Sequence, residues 1–90
     1  MPITTITEWE ADWATHLSID AAIGDGPADG LIMHAAGPSE AGTRVIDVWE
    51  SRQHMTRFFN ERIVPALDSL GIEAGPPLSV TEYDVQIVRT

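Results

Sequence analysis

Three residues with chemically useful side chains lie on two short apolar segments separated by a turn-rich stretch. His34 lies in the first segment, and Asp47 and Trp49 lie in the second. An imidazole beside a carboxylate makes a general base, because the carboxylate fixes the tautomer and stabilises the protonated ring. An indole offers a flat apolar wall for an aromatic molecule. The three residues predict either a site that binds and deprotonates a small molecule, or a structural His–Asp pair beside a core or interface tryptophan.

The two segments are predicted to be the strands of a hairpin. Residues 30–36 and 43–50 are rich in apolar residues, and the Gly/Pro/Ser-rich link between them is short. Alternation places His34, Asp47 and Trp49 on one face of the hairpin, with His34 and Asp47 in hydrogen-bonding reach across the strands. A one-residue slip in register would separate them.

The remaining segments complete a predicted order of β-α-β-β-α-β. Residues 3–7 alternate and are β-branched, which predicts the first strand. An apolar residue then recurs at every fourth position, which predicts the first helix. These residues are Trp9, Trp13, Leu17 and Ala21. Ser51 is the expected N-cap of the second helix, Pro65 is expected to kink or split it, and Gly71 ends it. Residues 78–88 predict the last strand.

This order predicts a ferredoxin-like α+β fold, a four-stranded antiparallel sheet with both helices on one face. Residues 1–90 fit one domain by length. Both alternating sets of the predicted hairpin contain apolar residues, so both faces of the sheet need cover. We expect a homodimer whose sheets pack face to face about a two-fold axis, with a cavity between them.

The expected dimer assigns a place to each candidate residue. The purely apolar sets should face the helices, which leaves His34, Asp47 and Trp49 facing the inter-sheet cavity. Tyr83, on the last strand, is predicted either to bind a substrate oxygen there or to pack at a strand edge. His16 and His54 lie on predicted helices, where surface or supporting roles are expected. No H-x-H or H-x-x-H spacing is present, so no metal site is predicted.

The amino-acid composition of the chain disfavours several kinds of binding partner and of chemistry. The net charge is −9 and lysine is absent, which disfavours binding to nucleic acid or to an anionic membrane. Cysteine is absent, which excludes disulfides, zinc–thiolate sites and thiol catalysis. There is neither a basic and apolar leader nor an apolar run of about 20 residues, so a cytoplasmic protein is expected.

The segment RVIDVWESRQHMTRFFNERIVPAL, together with the element order, resembles dimeric α+β barrel proteins. It is most similar to the antibiotic biosynthesis monooxygenase-like group, whose third strand commonly ends in an E-x-W or E-x-Y pattern. Here Asp47 and Trp49 stand at those positions, and Phe58 stands where many members place a histidine. The resemblance implies a homodimeric barrel with a cavity in each subunit. Its best-understood members oxidise phenolic polycyclic substrates with O2 and without metal or flavin, and others degrade haem.

Two classes of function follow. The first is a cofactor-independent monooxygenase-like enzyme that acts on a small, flat, mostly apolar or aromatic molecule. In it His34 is the base, Asp47 orients the base, and Trp49 and Tyr83 bind substrate. The second is a non-catalytic dimer of the same fold that binds a small molecule or serves as an accessory subunit. An isomerase or cyclase that uses the same base without O2 is a third possibility.

Overall fold

The architecture is a four-stranded sheet with helices on one side. A computed structural model describes residues 1–73 and 75–89. Its elements are β1 (Ile3–Trp9), α1 (Trp13–Ile23), β2 (Leu31–Pro38), β3 (Thr43–Trp49), α2 (Arg52–Phe58), a π-helical segment (Phe59–Ile63), α3 (Val64–Leu70) and β4 (Ser79–Asp84). The sheet is antiparallel between neighbours, in the order β2-β3-β1-β4. The predicted β-α-β-β-α-β order and ferredoxin-like fold are confirmed.

A tight turn fixes the register of the β2–β3 hairpin. The N–H of Ser39 donates to the carbonyl of Gly42 at 2.9 Å, and the N–H of Gly42 donates back to Ser39 at 3.2 Å. Two residues are left in the loop, as in the tightest common hairpins. Continued from this turn, the ladder brings His34 directly opposite Asp47. The predicted pairing of these two residues is confirmed.

A β-bulge interrupts β2 near its start. The register shifts between Leu31 and Met33, so that Leu31 pairs with Trp49 and Met33 pairs with Val48. An extra residue in one strand turns the residues before it to the other face. Leu31 therefore shares a face with Trp49, although uninterrupted alternation would turn it away.

The face that carries His34, Asp47 and Trp49 is the one that the helices cover. Trp49 is 3% exposed, and its ring lies 5.3 Å from that of Phe58 in α2, tilted by 45°. The prediction that the three residues face away from the helices, into an inter-sheet cavity, is therefore wrong. The side chains on either face of β3 are apolar enough to form a core. Burial of the large indole of Trp49 decides which face the helices cover.

The first helix begins later than its apolar repeat predicts. Trp9 belongs to β1, where its Nε1–H donates to the hydroxyl of Thr7 at 2.8 Å. Asp12 caps α1 by accepting the N–H of Thr15 at 2.9 Å. Leu17 is 50% exposed, so the four-residue repeat does not mark the buried side of this helix.

The second helical stretch follows its sequence signals. The hydroxyl of Ser51 accepts the N–H of His54, as predicted for the N-cap. Pro65 lies in the first turn of α3, and the N–H of Val64 donates five residues back to Phe59. The π-helical segment thus accommodates a proline that has no N–H to donate. Gly71 ends α3 in the left-handed conformation.

The last strand, β4, is shorter than predicted and spans Ser79–Asp84. Its partner is the central strand β1, and its side chains are exposed. Residues 85–89 continue beyond it, where the N–H of Val85 still donates to the carbonyl of Pro2 at 2.9 Å. Of the predicted range 78–88, residue 78 and residues 85–88 are therefore outside the strand.

The loop before β2 depends on a glycine packed against an imidazole. Gly30 has a φ of +81°, and a Cβ at this position would overlap the ring of His54. Gly71 has a φ of +68°, but a Cβ there would meet no described atom within 4 Å. Alanine substitutions at these two glycines therefore separate the energetic cost of a positive φ from the cost of a steric overlap.

We expect Gly71→Ala to lower the free energy of unfolding by about 1 kcal/mol, the cost of a left-handed alanine. Gly30→Ala should cost about 3 kcal/mol or more, because the imidazole of His54 must also move. Urea unfolding of both variants measures the difference. Equal losses would show that the His54 ring does not constrain this loop.

Candidate functional site

The centre of the site is a hydrogen bond between two facing strands. The Nδ1–H of His34, on the edge strand β2, donates to Oδ1 of Asp47, on β3, at 2.5 Å. The His34 side chain is 40% exposed and that of Asp47 is 22% exposed. The Nε2 of His34 has no hydrogen-bond partner among the described residues. Since Asp47 accepts the Nδ1 proton, Nε2 carries the basic lone pair of this partly exposed side chain.

The carboxylate also changes the proton affinity of the imidazole. The hydrogen bond to Asp47 raises the pKa of His34 above its usual value, and the negative charges of Asp47 and Asp20 act in the same direction. Partial burial opposes them by disfavouring the charged ring. The net increase makes His34 a stronger base than a free histidine.

A second histidine lies on the helix side of this site. His16, on α1, is half-buried and stacks on Trp13, with ring centroids 5.2 Å apart and planes 14° apart. Burial lowers the pKa of His16, and the charge of His34 lowers it further. The charges of Asp20 and Asp47 act in the opposite direction. The charges of both His34 and Asp47 therefore affect the pKa of His16.

Sequence reasoning placed His16 among surface or supporting residues. The Trp13–His16 spacing of three residues is a weak signal, because it occurs in many helices. The decisive information is the position of α1 over the sheet, which a single-sequence pattern does not provide.

Trp49 is part of the core beside the pair. Phe58, which packs on it, also has the guanidinium of Arg62 5.3 Å from its ring centre. Phe58 stands at the position where many antibiotic biosynthesis monooxygenase-like proteins have a histidine. The indole Nε1–H of Trp49 is buried and has no acceptor among residues 1–73 and 75–89. Its buried ring does not present the open wall that the sequence suggested.

Tyr83 lies on the other side of the sheet. It pairs with Thr4 in β1, whereas Trp49 pairs with Ile3, so the two aromatic residues face opposite ways. Tyr83 is 52% exposed and borders a groove of about 450 Å³. The groove is also lined by Met33, Val48 and residues 85–89. The expectation that Trp49 and Tyr83 together line the inter-sheet cavity is wrong.

The third histidine belongs to a different part of the molecule. Nδ1 of His54 lies 2.7 Å from the hydroxyl of Ser51, and Nε2 lies 3.9 Å from carboxylates of Asp29 and Glu50. Within the described ranges, no three His, Asp or Glu side chains converge to hold a metal ion. His54 therefore supports the start of α2 rather than the His34–Asp47 pair.

Known proteins resemble this chain in structure rather than in sequence. No family model matches it, and no curated protein matches it. A proposed antibiotic biosynthesis monooxygenase from Chloroflexus aurantiacus superposes with a TM-score of 0.72 at 11% identity, over 100% of this chain and 98% of that one. Rv0793 from Mycobacterium tuberculosis gives a TM-score of 0.70 at 16% identity, over 100% of both chains.

The chain has the fold of the antibiotic biosynthesis monooxygenase-like proteins. SnoaB from Streptomyces nogalater, a cofactor-independent oxygenase, shares it with a TM-score of 0.55 at 12% identity, over 97% of this chain and 93% of that one. The predicted resemblance to the monooxygenase-like fold is confirmed. None of the helices in the described part of the chain is long and apolar enough to cross a membrane.

The His34–Asp47 hydrogen bond should stabilise the fold in a pH-dependent way. Because the folded pKa of His34 is raised, its stabilisation is complete below the unfolded pKa of about 6.5 and is lost as pH rises through the folded pKa. A double-mutant cycle of His34→Gln and Asp47→Asn, followed by urea unfolding, should give a coupling of about 1 kcal/mol or less at pH of about 5.5. The coupling should shrink by pH of about 9. A coupling that grows with pH would contradict the raised pKa.

Proposed function

We propose that the chain is a cofactor-independent, monooxygenase-like enzyme that oxidises a small, flat, mostly apolar phenol with O2. The Nε2 of His34 takes a proton from the substrate, and Asp47 orients the imidazole and stabilises its charge. The electron-rich substrate anion then transfers an electron to O2. The observation that carries the proposal is the 2.5 Å hydrogen bond between His34 and Asp47 on accessible side chains.

The buried N–H of Trp49 supports an oxygen-bearing substrate at the same site. Trp49 follows Asp47 by two residues on the same face of β3, and its N–H has no acceptor among the described residues. A buried donor without an acceptor costs about 1–3 kcal/mol. A substrate oxygen that becomes negative on deprotonation would supply the acceptor, and it would do so most strongly when the charge develops.

Net charge restricts the substrate further. A chain with a charge of −9 repels anions at long range. The substrate is therefore neutral when it arrives and becomes charged only beside His34. A polycyclic phenol that is uncharged at neutral pH and acidic at one O–H or C–H position meets this requirement.

Dithranol, a three-ring phenol with an acidic CH2 group, is a suitable probe of this function. We expect the protein to accelerate O2 uptake by dithranol, and His34→Gln to reduce that acceleration at least about 100-fold, as for loss of a general base. Asp47→Asn should move the low-pH limb of the rate profile to lower pH, because it removes the cause of the raised pKa of His34. An oxygen electrode read across the pH range measures both effects.

The variants and readouts separate the alternative functions. His54→Gln is the matched control, since His54 lies at the start of α2 and should not affect the rate. Binding of dithranol without O2 uptake would indicate the non-catalytic binding module. Conversion without O2 uptake would indicate an isomerase or cyclase. Wild-type rates in His34→Gln would overturn the role of this residue.

We also propose that the chain forms a homodimer through the sheet face that the helices leave uncovered. This face exposes 42% of Met33 and 52% of Tyr83. Its charged strand residues are Glu8 and Arg44, which lie 3.7 Å apart and neutralise each other. On a chain of charge −9, a largely apolar face that carries no net negative charge is the one that a second copy can approach with least repulsion.

Light scattering after size-exclusion chromatography tests the dimer. We expect twice the chain mass for the wild type and the mass of a single chain for Met33→Glu, which places a charge on this face. Leu17→Glu is the control, because Leu17 is similarly exposed but lies on α1. A wild type that elutes at single-chain mass, or a dimer that Met33→Glu does not weaken, would contradict the proposal.

A further inference from the structure

We propose that His16 is a second acid–base residue of the site and handles the second proton of the oxidation from the wall opposite His34. The inference rests on the proposed function. It concerns a side chain for which the sequence predicted a surface or supporting role.

The chain path brings His16 over the His34–Asp47 pair. β1 and β2 run parallel with β3 between them, so α1, which connects them, crosses over β3. His16 lies on the half-buried side of this helix, together with Ile19 and Ile23. Asp47 projects from β3 and His34 from β2 on the face that the helices cover. His16 therefore lies on the helix side, and His34 on the sheet side, of the same covered face.

The ring of His16 is restricted in orientation, but it makes no hydrogen bond to the described residues. It stacks nearly parallel on Trp13, at 5.2 Å between centroids, which restricts its orientation. Neither of its nitrogens has a hydrogen-bond partner among the described residues. A half-buried imidazole whose orientation is restricted and whose two nitrogens are available is suited to exchange a proton with a ligand bound beside His34.

The charges around the two histidines give them different proton affinities. The groups that act on His16 are Asp20 from α1, His34 from β2 and Asp47 from β3. Burial lowers the pKa of His16, whereas the hydrogen bond to Asp47 raises that of His34. Two neighbouring groups whose pKa values are moved apart can serve different proton transfers at one pH. His16 is therefore the weaker base of the two and His34 the stronger.

Oxidation of a CH2 group to a ketone by O2 requires that two protons be removed from the carbon. His34 takes the first proton, the resulting carbanion forms a C–O bond with O2, and His34 returns that proton to the terminal peroxide oxygen. His16 then takes the second proton from the same carbon, and the C=O bond forms as the O–O bond breaks. The departing hydroxide takes this proton from His16 and leaves as water. Both histidines end neutral, and the carbon has been oxidised by four electrons at the expense of one O2.

Dithranol oxidation distinguishes this role from that of His34. In His16→Gln, we expect O2 uptake to stay within about 10-fold of wild type, while the yield of ketone per O2 falls about 10-fold and hydroperoxide accumulates. His16→Phe should behave in the same way, because phenylalanine keeps the stacking on Trp13 but cannot carry a proton. His54→Gln should leave both rate and yield unchanged.

A titration without turnover provides an independent readout. The imidazole signals are followed by NMR with and without 2-naphthol, a phenol that serves here only as a ligand. We expect 2-naphthol to shift the signals of His16 and His34 but not that of His54. In His34→Gln, His16 should titrate at higher pH, because the neighbouring positive charge has been removed.

The outcomes separate this inference from the proposed function. If neither His16 nor His34 responds to 2-naphthol and His34→Gln oxidises dithranol normally, the proposed function fails and the role of His16 fails with it. If His34→Gln is inactive but His16→Gln gives the wild-type ketone yield, only the inference about His16 fails. Recovery of the yield in His16→Phe would assign His16 a stacking role and would also overturn the proposal.

Discussion

The register of the β2–β3 hairpin is the constraint on which the candidate site depends. The mutual hydrogen bonds of Ser39 and Gly42 allow only two residues in the turn, and the ladder that starts there brings His34 opposite Asp47. A slip of one residue would turn His34 to the uncovered face and leave the carboxylate facing the helices without a partner. Since a partly buried carboxylate without a hydrogen bond is costly, the pair also helps to select the register that creates it.

The bulge in β2 reconciles this register with the needs of the core. Leu31 and His34 have opposite parity, yet both reach the helix-covered face because the extra residue lies between them. Leu31 then lies beside Trp49, which is buried against Phe58, while His34 remains at the edge of the sheet and 40% exposed. One strand therefore provides apolar cover at its start and an accessible base three residues later.

Local signals predicted much of this fold, and they failed where two faces competed. The N-cap at Ser51, the interruption near Pro65 and the end at Gly71 each depend on one residue and its neighbours, so the sequence was sufficient for them. The choice of covered face was not local, because both sets of β3 contain apolar residues and burial of Trp49 against Phe58 decided it. The His34–Asp47 pairing survived this error, since alternation keeps the two residues together whichever face is covered.

In the proposed enzyme, the covered face of the sheet carries the acid–base groups and the uncovered face forms the dimer. On the covered face, His16 and His34 are partly buried, where solvent screening is weaker, so that the charge of Asp47 changes the pKa of both histidines and the charge of His34 changes the pKa of His16. On the uncovered face, apolar residues such as Met33 lie on the same surface as the Glu8–Arg44 ion pair. A substrate of the proposed enzyme would therefore enter within one chain, beneath α1, rather than between two sheets. Dimer formation would then stabilise the sheet that holds the hairpin register, while proton transfer would depend on the position of α1 over β3.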